Sequence, residues 1–98
     1  MTAEHASAVA PVSAGAVERA LAGFLAAKTG VPVGADQDLF ASGLVSSMFA
    51  MQLVVHLEES YGIAIVGPEL KLDNFRTVGA MARLVIRLRE GGGEASNG

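Results

Sequence analysis

A chain of 98 residues makes room for one small domain and excludes a catalytic domain joined to a separate cofactor domain. A hydrophobic fraction of 51% suffices for a core, but aromatics at 5% and no tryptophan leave aliphatic and alanine side chains to fill it, a composition that favours packed helices. The absence of cysteine, two isolated histidines (His5, His56) and a net charge of −3 exclude disulfides, thiolate chemistry, a self-sufficient zinc site and nucleic acid as the main ligand, because phosphate neutralisation needs clustered Lys and Arg.

In chain order, residues 1–12 are small, contain Pro11 and lack large hydrophobes, so they are expected to be a disordered N-terminal segment. Glu4 precedes any basic residue, unlike a secretory signal, and no apolar run reaches the roughly 18 residues of a membrane span. A cytoplasmic protein without membrane contact is expected. From Ser13, a plausible N-cap, Val17, Leu21, Phe24, Leu25 and Lys28 fall at i, i+4, i+7, i+8 and i+11 and lay an apolar stripe along a first helix. Gly30 and Pro32 stop it. The stretch to about Val45 has Gly, Pro and Asp punctuation and no period, which predicts a long loop anchored by Leu39, Phe40, Leu44 and Val45.

The segment SSMFAMQLVVHLEESYG predicts a second helix: Ala50, Leu53, Val54, Leu57 and Tyr61 form a core-facing stripe, and Gly62 supplies the stop. Met48, Met51 and Val55 form another apolar row at i, i+3, i+7, wider than one packing face needs. After the Gly67-Pro68 turn, ELKLDNF has room for only a short helix. Thr77 can cap a last helix carrying Val78, Met81, Ala82, Val85 and Leu88, with Gly91 to Gly93 as its end and residues 91–98 as a disordered tail. The isolated run Ile63–Val66 has no hairpin partner. The fold class expected is all-α: a four-helix bundle of three main helices and one short third helix over residues 13–90, with a long loop between helices one and two.

Residues 30–70 contain no Lys or Arg but hold Asp36, Asp38, Glu58, Glu59 and Glu69, so acidity gathers around the second helix, as a solvated rim or as a docking face for basic enzymes. On spacing alone Ser46 and Ser47 are helix caps. Only His56 could activate Ser47, and nine residues along a helix is roughly 13 Å of rise, too far for a hydrogen bond, which removes a serine hydrolase. The carboxylates at Asp36 and Asp38, or Glu58 and Glu59, show no sign of a shared cleft. No phosphate-cradling G-x-x-x-x-G-K pattern exists.

Taken together, DLFASGLVSSMFAMQLVVHLEESYGIAI followed by DNFRTVGAMARLV resembles the acyl carrier protein family from about Val17 to Leu88. With Ser47 at the family's modified position, Met48, Met51, Leu53, Leu57, Tyr61 and Ile65 land on apolar sites, whereas Ser46 in that position would put Gln52 in the core. The resemblance implies a 4'-phosphopantetheine on Ser47, delivered from coenzyme A by a phosphopantetheinyl transferase, and an acyl thioester held on that arm. An anionic phosphate at a helix N-terminus is physically favourable. It further implies a monomer that is not an enzyme and that visits acyl-loading, tailoring and acyltransferase or synthase enzymes, with Met48, Met51 and Val55 as the apolar centre of the docking face and Glu58 and Glu59 as its rim. The rival for that row is packing beneath the loop or the short third helix.

The sequence departs from the family where Ser46 replaces the usual Asp and where Phe49 and Gln52 occupy positions that are often acidic. Gly43 four residues before Ser47 resembles D-alanyl carriers and the discrete carriers of methoxymalonyl-type polyketide extender units; YGIAI, GPEL and DNFRTV resemble the latter. The function this implies is a carrier in a secondary-metabolite, polyketide or antibiotic pathway, holding a glyceryl-derived unit. The alternatives are a peptidyl or D-alanyl carrier and a non-carrier helical adaptor.

Overall fold

Residues 13–97 are described by a computed structural model, the last seven of them as backbone alone. The disorder expected for residues 1–12 lies outside the described residues. Ser13 is extended, at φ −96° and ψ 153°, and its hydroxyl accepts from the Ala16 N–H at 3.1 Å, so α1 starts at Ala14 and runs through Thr29 (Ala14–Thr29). Gly30 closes it: at φ 80°, a left-handed conformation that suits glycine, its N–H donates to the Ala26 carbonyl at 2.8 Å. Val17, Leu21 and Leu25 are buried, as the stripe requires.

The long loop is laced down at several points. Leu39 N–H donates to the Arg76 carbonyl at 2.8 Å, and Gly79 N–H to the Ala35 carbonyl at 2.9 Å. The Asp38 carboxylate accepts from the Phe40 and Ala41 N–H groups and pairs with Arg76 at 3.2 Å. Leu39 and Val45 are buried, while Phe40 and Leu44 are half-buried against the same core.

Helix α2 spans Ser47–Tyr61 and buries Leu53, Val54 and Leu57; Gly62, at φ 64°, ends it. Helix α3 spans Val78–Asn97, opened by the Thr77 hydroxyl, which accepts from Ala80 N–H at 2.9 Å. Val78, Met81, Ala82, Leu84 and Val85 face inward and pack chiefly on α1. The core is aliphatic apart from Phe75, and no polar or charged side chain is buried among the described residues. No strand occurs among them either: Ile63–Val66 is an unpaired connection in which only Ile65 is buried.

Two expectations change. In place of a short third helix, the chain makes two 3₁₀ turns, Gly67–Glu69 and Leu72–Phe75. Gly67 at φ 60° lies in the left-handed region and Leu70 at φ −83°, ψ 70° breaks the path between the turns, so the segment is held by short-range bonds such as Leu70 N–H to the Gly67 carbonyl at 3.0 Å and Lys71 N–H to the Glu69 carbonyl at 2.9 Å. Among the described residues the fold is all-α, with three α-helices and two 3₁₀ turns, so the count of four helices is not confirmed. The last helix also continues through Gly91 to Gly93 as far as Asn97. Each glycine there costs about 1 kcal/mol relative to alanine without breaking the i→i−4 ladder.

Candidate functional site

The two adjacent serines at the start of α2 have different jobs. Ser46 is the N-cap: its backbone is extended at φ −93° and ψ 170°, its hydroxyl accepts from Phe49 N–H at 3.1 Å, and its carbonyl accepts from Ala50 N–H at 2.8 Å. Ser47 is the first helical residue. It is exposed, and its hydroxyl makes no hydrogen bond among the described residues. The N–H groups of Ser47 and Met48 are the first-turn donors left over once the cap has taken Phe49. No acidic side chain stands in that turn to compete for them.

Met48, Met51 and Val55 are 76%, 60% and 50% exposed, so the surplus row lies on the surface rather than under the loop. Glu58 and Glu59 sit one to three turns further along the helix. Glu59 is exposed, whereas Glu58 is half-buried and its Oε2 accepts from Ile65 N–H at 2.7 Å, tying the end of α2 to the connection that follows.

Two depressions flank the start of α2. On one side Ala50, Met51 and Val54 face Leu70, Leu72 and Phe75 across a groove of about 240 Å³ that Ser47 and Lys71 also line. Sequence reasoning read ELKLDNF as a short helix and missed this wall; the leucines either side of Lys71 in so short a segment were the available signal. On the other side a more open cleft of about 530 Å³ is bordered by Lys28, Leu44, Ser46, Met48 and Gln52. His56 is remote from Ser47 and stacks on Phe24 of α1, with ring centroids 3.9 Å apart and planes 11° from parallel. Lys28 Nζ lies 5.6 Å from the same Phe24 centroid.

The perturbed acid of the molecule lies in the loop before the site. Asp38 is held below the usual carboxylate range, first because Ala41 N–H donates to it and then because Arg76 stands beside it. Arg76 is pushed up in turn by Asp38 and Asp73. Burial pushes the Tyr61 phenol up. None of these groups lines either depression, so they are structural. Among the described residues no cluster of His, Asp and Glu could hold a metal ion, and no helix is long and apolar enough to cross a membrane.

Comparison with known families and proteins adds one match. The sequence profile of the family described as phosphopantetheine attachment site aligns with residues 19–85, well over half of the chain and all of α2 with both flanking grooves. No curated protein matches the sequence.

Proposed function

We propose that Ser47 is the attachment serine, because the chain belongs to the phosphopantetheine attachment-site family, in which a 4'-phosphopantetheine is joined covalently to a serine. The division of labour between the two serines carries this reading. The Ser46 hydroxyl is committed to Phe49 N–H, and the Ser47 hydroxyl is exposed and uncommitted. The residues present fit the group. A phosphodiester on Ser47 would stand at the positive end of α2 beside the Ser47 and Met48 N–H groups, where no carboxylate opposes it. When bound, the arm supplies a thiol that holds an acyl group as a thioester, which a chain without cysteine cannot offer itself.

Carrier domains of this family are generally not catalytic and work with phosphopantetheinyl transferases and synthase enzymes. The exposed row of Met48, Met51 and Val55 supports a docking role for this face. Its apolar side chains can be desolvated by a partner at little conformational cost to the bundle. Glu59, exposed beyond the row, and the outer part of Glu58 provide an acidic rim for a basic partner surface. The finer assignment rests on sequence: G-L-x-x-S-M, YGIAI, GPEL and DNFRTV support an acyl carrier protein of a polyketide pathway, holding a methoxymalonyl-type extender unit.

The test is intact mass after incubation with coenzyme A, Mg²⁺ and a broad-specificity phosphopantetheinyl transferase. Wild type and Ser46→Ala are expected to gain one phosphopantetheine, and Ser47→Ala none. Gain by Ser47→Ala would move the attachment elsewhere, and no gain by any form, repeated with a transferase from the native host, would favour the helical adaptor.

A further inference from the structure

Between Lys28 and Arg76 the chain contains a single Lys or Arg, Lys71, and the structure places it on the groove that also includes Ser47. The acids nearest to it in sequence are already engaged. Glu69 Oε1 takes Arg87 Nη2 at 2.7 Å, while Asp73 Oδ1 takes Arg76 at 3.2 Å. Among the described residues no carboxylate forms an ion pair with Lys71, which is exposed between Leu70 and Leu72. The groove thus combines apolar walls with one unmatched cation and no lining carboxylate. Lys28, the other lysine near the start of α2, borders the opposite cleft and is drawn to the Phe24 ring.

A ligand tethered to Ser47 meets this groove at high effective concentration, in the millimolar range for a short flexible tether, so a contact too weak to bind a free molecule can still decide where the tethered one rests. The groove, of about 240 Å³, suits a short chain. We propose that Lys71 is a specificity-determining residue: it makes the groove beside Ser47 hold short acyl groups that end in a carboxylate in preference to neutral ones of the same size. This rests on Ser47 as the attachment site. The apolar walls contact the methylene part of the cargo, and the ammonium of Lys71 pairs with its terminal carboxylate at the exposed edge. The phosphodiester on Ser47 is the other anion within reach, and the experiment separates the two.

The protein is loaded on Ser47 from coenzyme A, malonyl-coenzyme A or isovaleryl-coenzyme A, the last being a neutral near-isostere of malonyl, with intact mass confirming each form. Amide ¹H–¹⁵N spectra are then compared. The malonyl form is expected to shift the Leu70, Lys71 and Leu72 amides relative to the unacylated arm. Lys71→Gln should reduce those shifts to the isovaleryl level, Lys71→Arg should restore them, and 1 M salt, where the Debye length is about 3 Å, should diminish them. Malonyl shifts that survive Lys71→Gln overturn the proposal. So does a Lys71-dependent shift of equal size in the unacylated form, which would assign the lysine to the phosphodiester. If Ser47 takes no arm, the mass spectrum shows it and the parent reading falls together with this one; with the arm in place, only the role of Lys71 is at stake.

Discussion

Helices α1 and α2 carry the same kind of apolar pattern, yet the structure uses them differently. Along α1 the stripe Val17, Leu21, Leu25 is consumed by packing on α3, and the opposite face is polar or small. Along α2 the stripe Leu53, Val54, Leu57 is buried in the same way, but Met48, Met51 and Val55 remain in solvent at 50% exposure or more. An apolar residue at helical spacing therefore reports membership of a row. Whether the row faces the core depends on what the rest of the chain brings against it, and among the described residues nothing covers the second row of α2.

The sharpest way to break this comparison is at its edge. Ser47→Ala is expected to abolish phosphopantetheine attachment, read as intact mass, while leaving the thermal midpoint within a degree or two because the exposed hydroxyl has no hydrogen-bond partner among the described residues. Leu53→Ala should cost about 2–5 kcal/mol, read by urea denaturation, since Leu53 is fully buried. Its neighbour two positions away behaves oppositely if the rows are distinct. Met51→Ala and Val55→Asp should change stability by no more than about 0.5 kcal/mol, yet Val55→Asp should sharply slow acyl loading of the carrier by its partner enzyme. A large stability loss in either would return the second row to the core.

Ser46→Ala should lower stability by about 1 kcal/mol through loss of the Phe49 cap while leaving attachment intact, the reverse of the Ser47 result. The smallest effect concerns the loop that joins the two helices. Asp38 has its folded pKa lowered below 3.8, so its contribution is present above the unfolded value and is lost as pH falls through the folded one. Asp38→Asn should consequently lower the thermal midpoint slightly at neutral pH and flatten its fall in acid, so that variant and wild type converge below about pH 4.

Much of this was legible in the chain. Ser13, Thr77, Gly30 and Gly62 are local signals that need only a few neighbours, and each terminates its helix where spacing predicts. The surplus row on α2 was legible too, though not its exposure. What the sequence concealed is non-local or depends on backbone angles: the left-handed Gly67 that turns a short helix into two 3₁₀ turns, and the persistence of the last helix through Gly91 to Gly93. The bond from Ile65 N–H to Glu58 joins residues seven apart across a helix end. The wall of Leu70 and Leu72 opposite Met51 exists only because the chain folds back on α2. For the serines, spacing made both of them caps; the family register favoured Ser47, and the structure adds that the Ser46 hydroxyl caps α2.

No polar side chain is buried among the described residues, so the directional side-chain bonds between segments lie at the perimeter. Three of them are Asp38 with Arg76, Glu58 with Ile65 N–H, and Glu69 with Arg87, and they add to the backbone bonds from Leu39 N–H to Arg76 and from Gly79 N–H to Ala35. Two of the three are ion pairs open to solvent, where dissolved salt weakens them, whereas the greasy interior is insensitive to it. Raising the ionic strength thus weakens these perimeter ties while the apolar packing that holds the helices together remains.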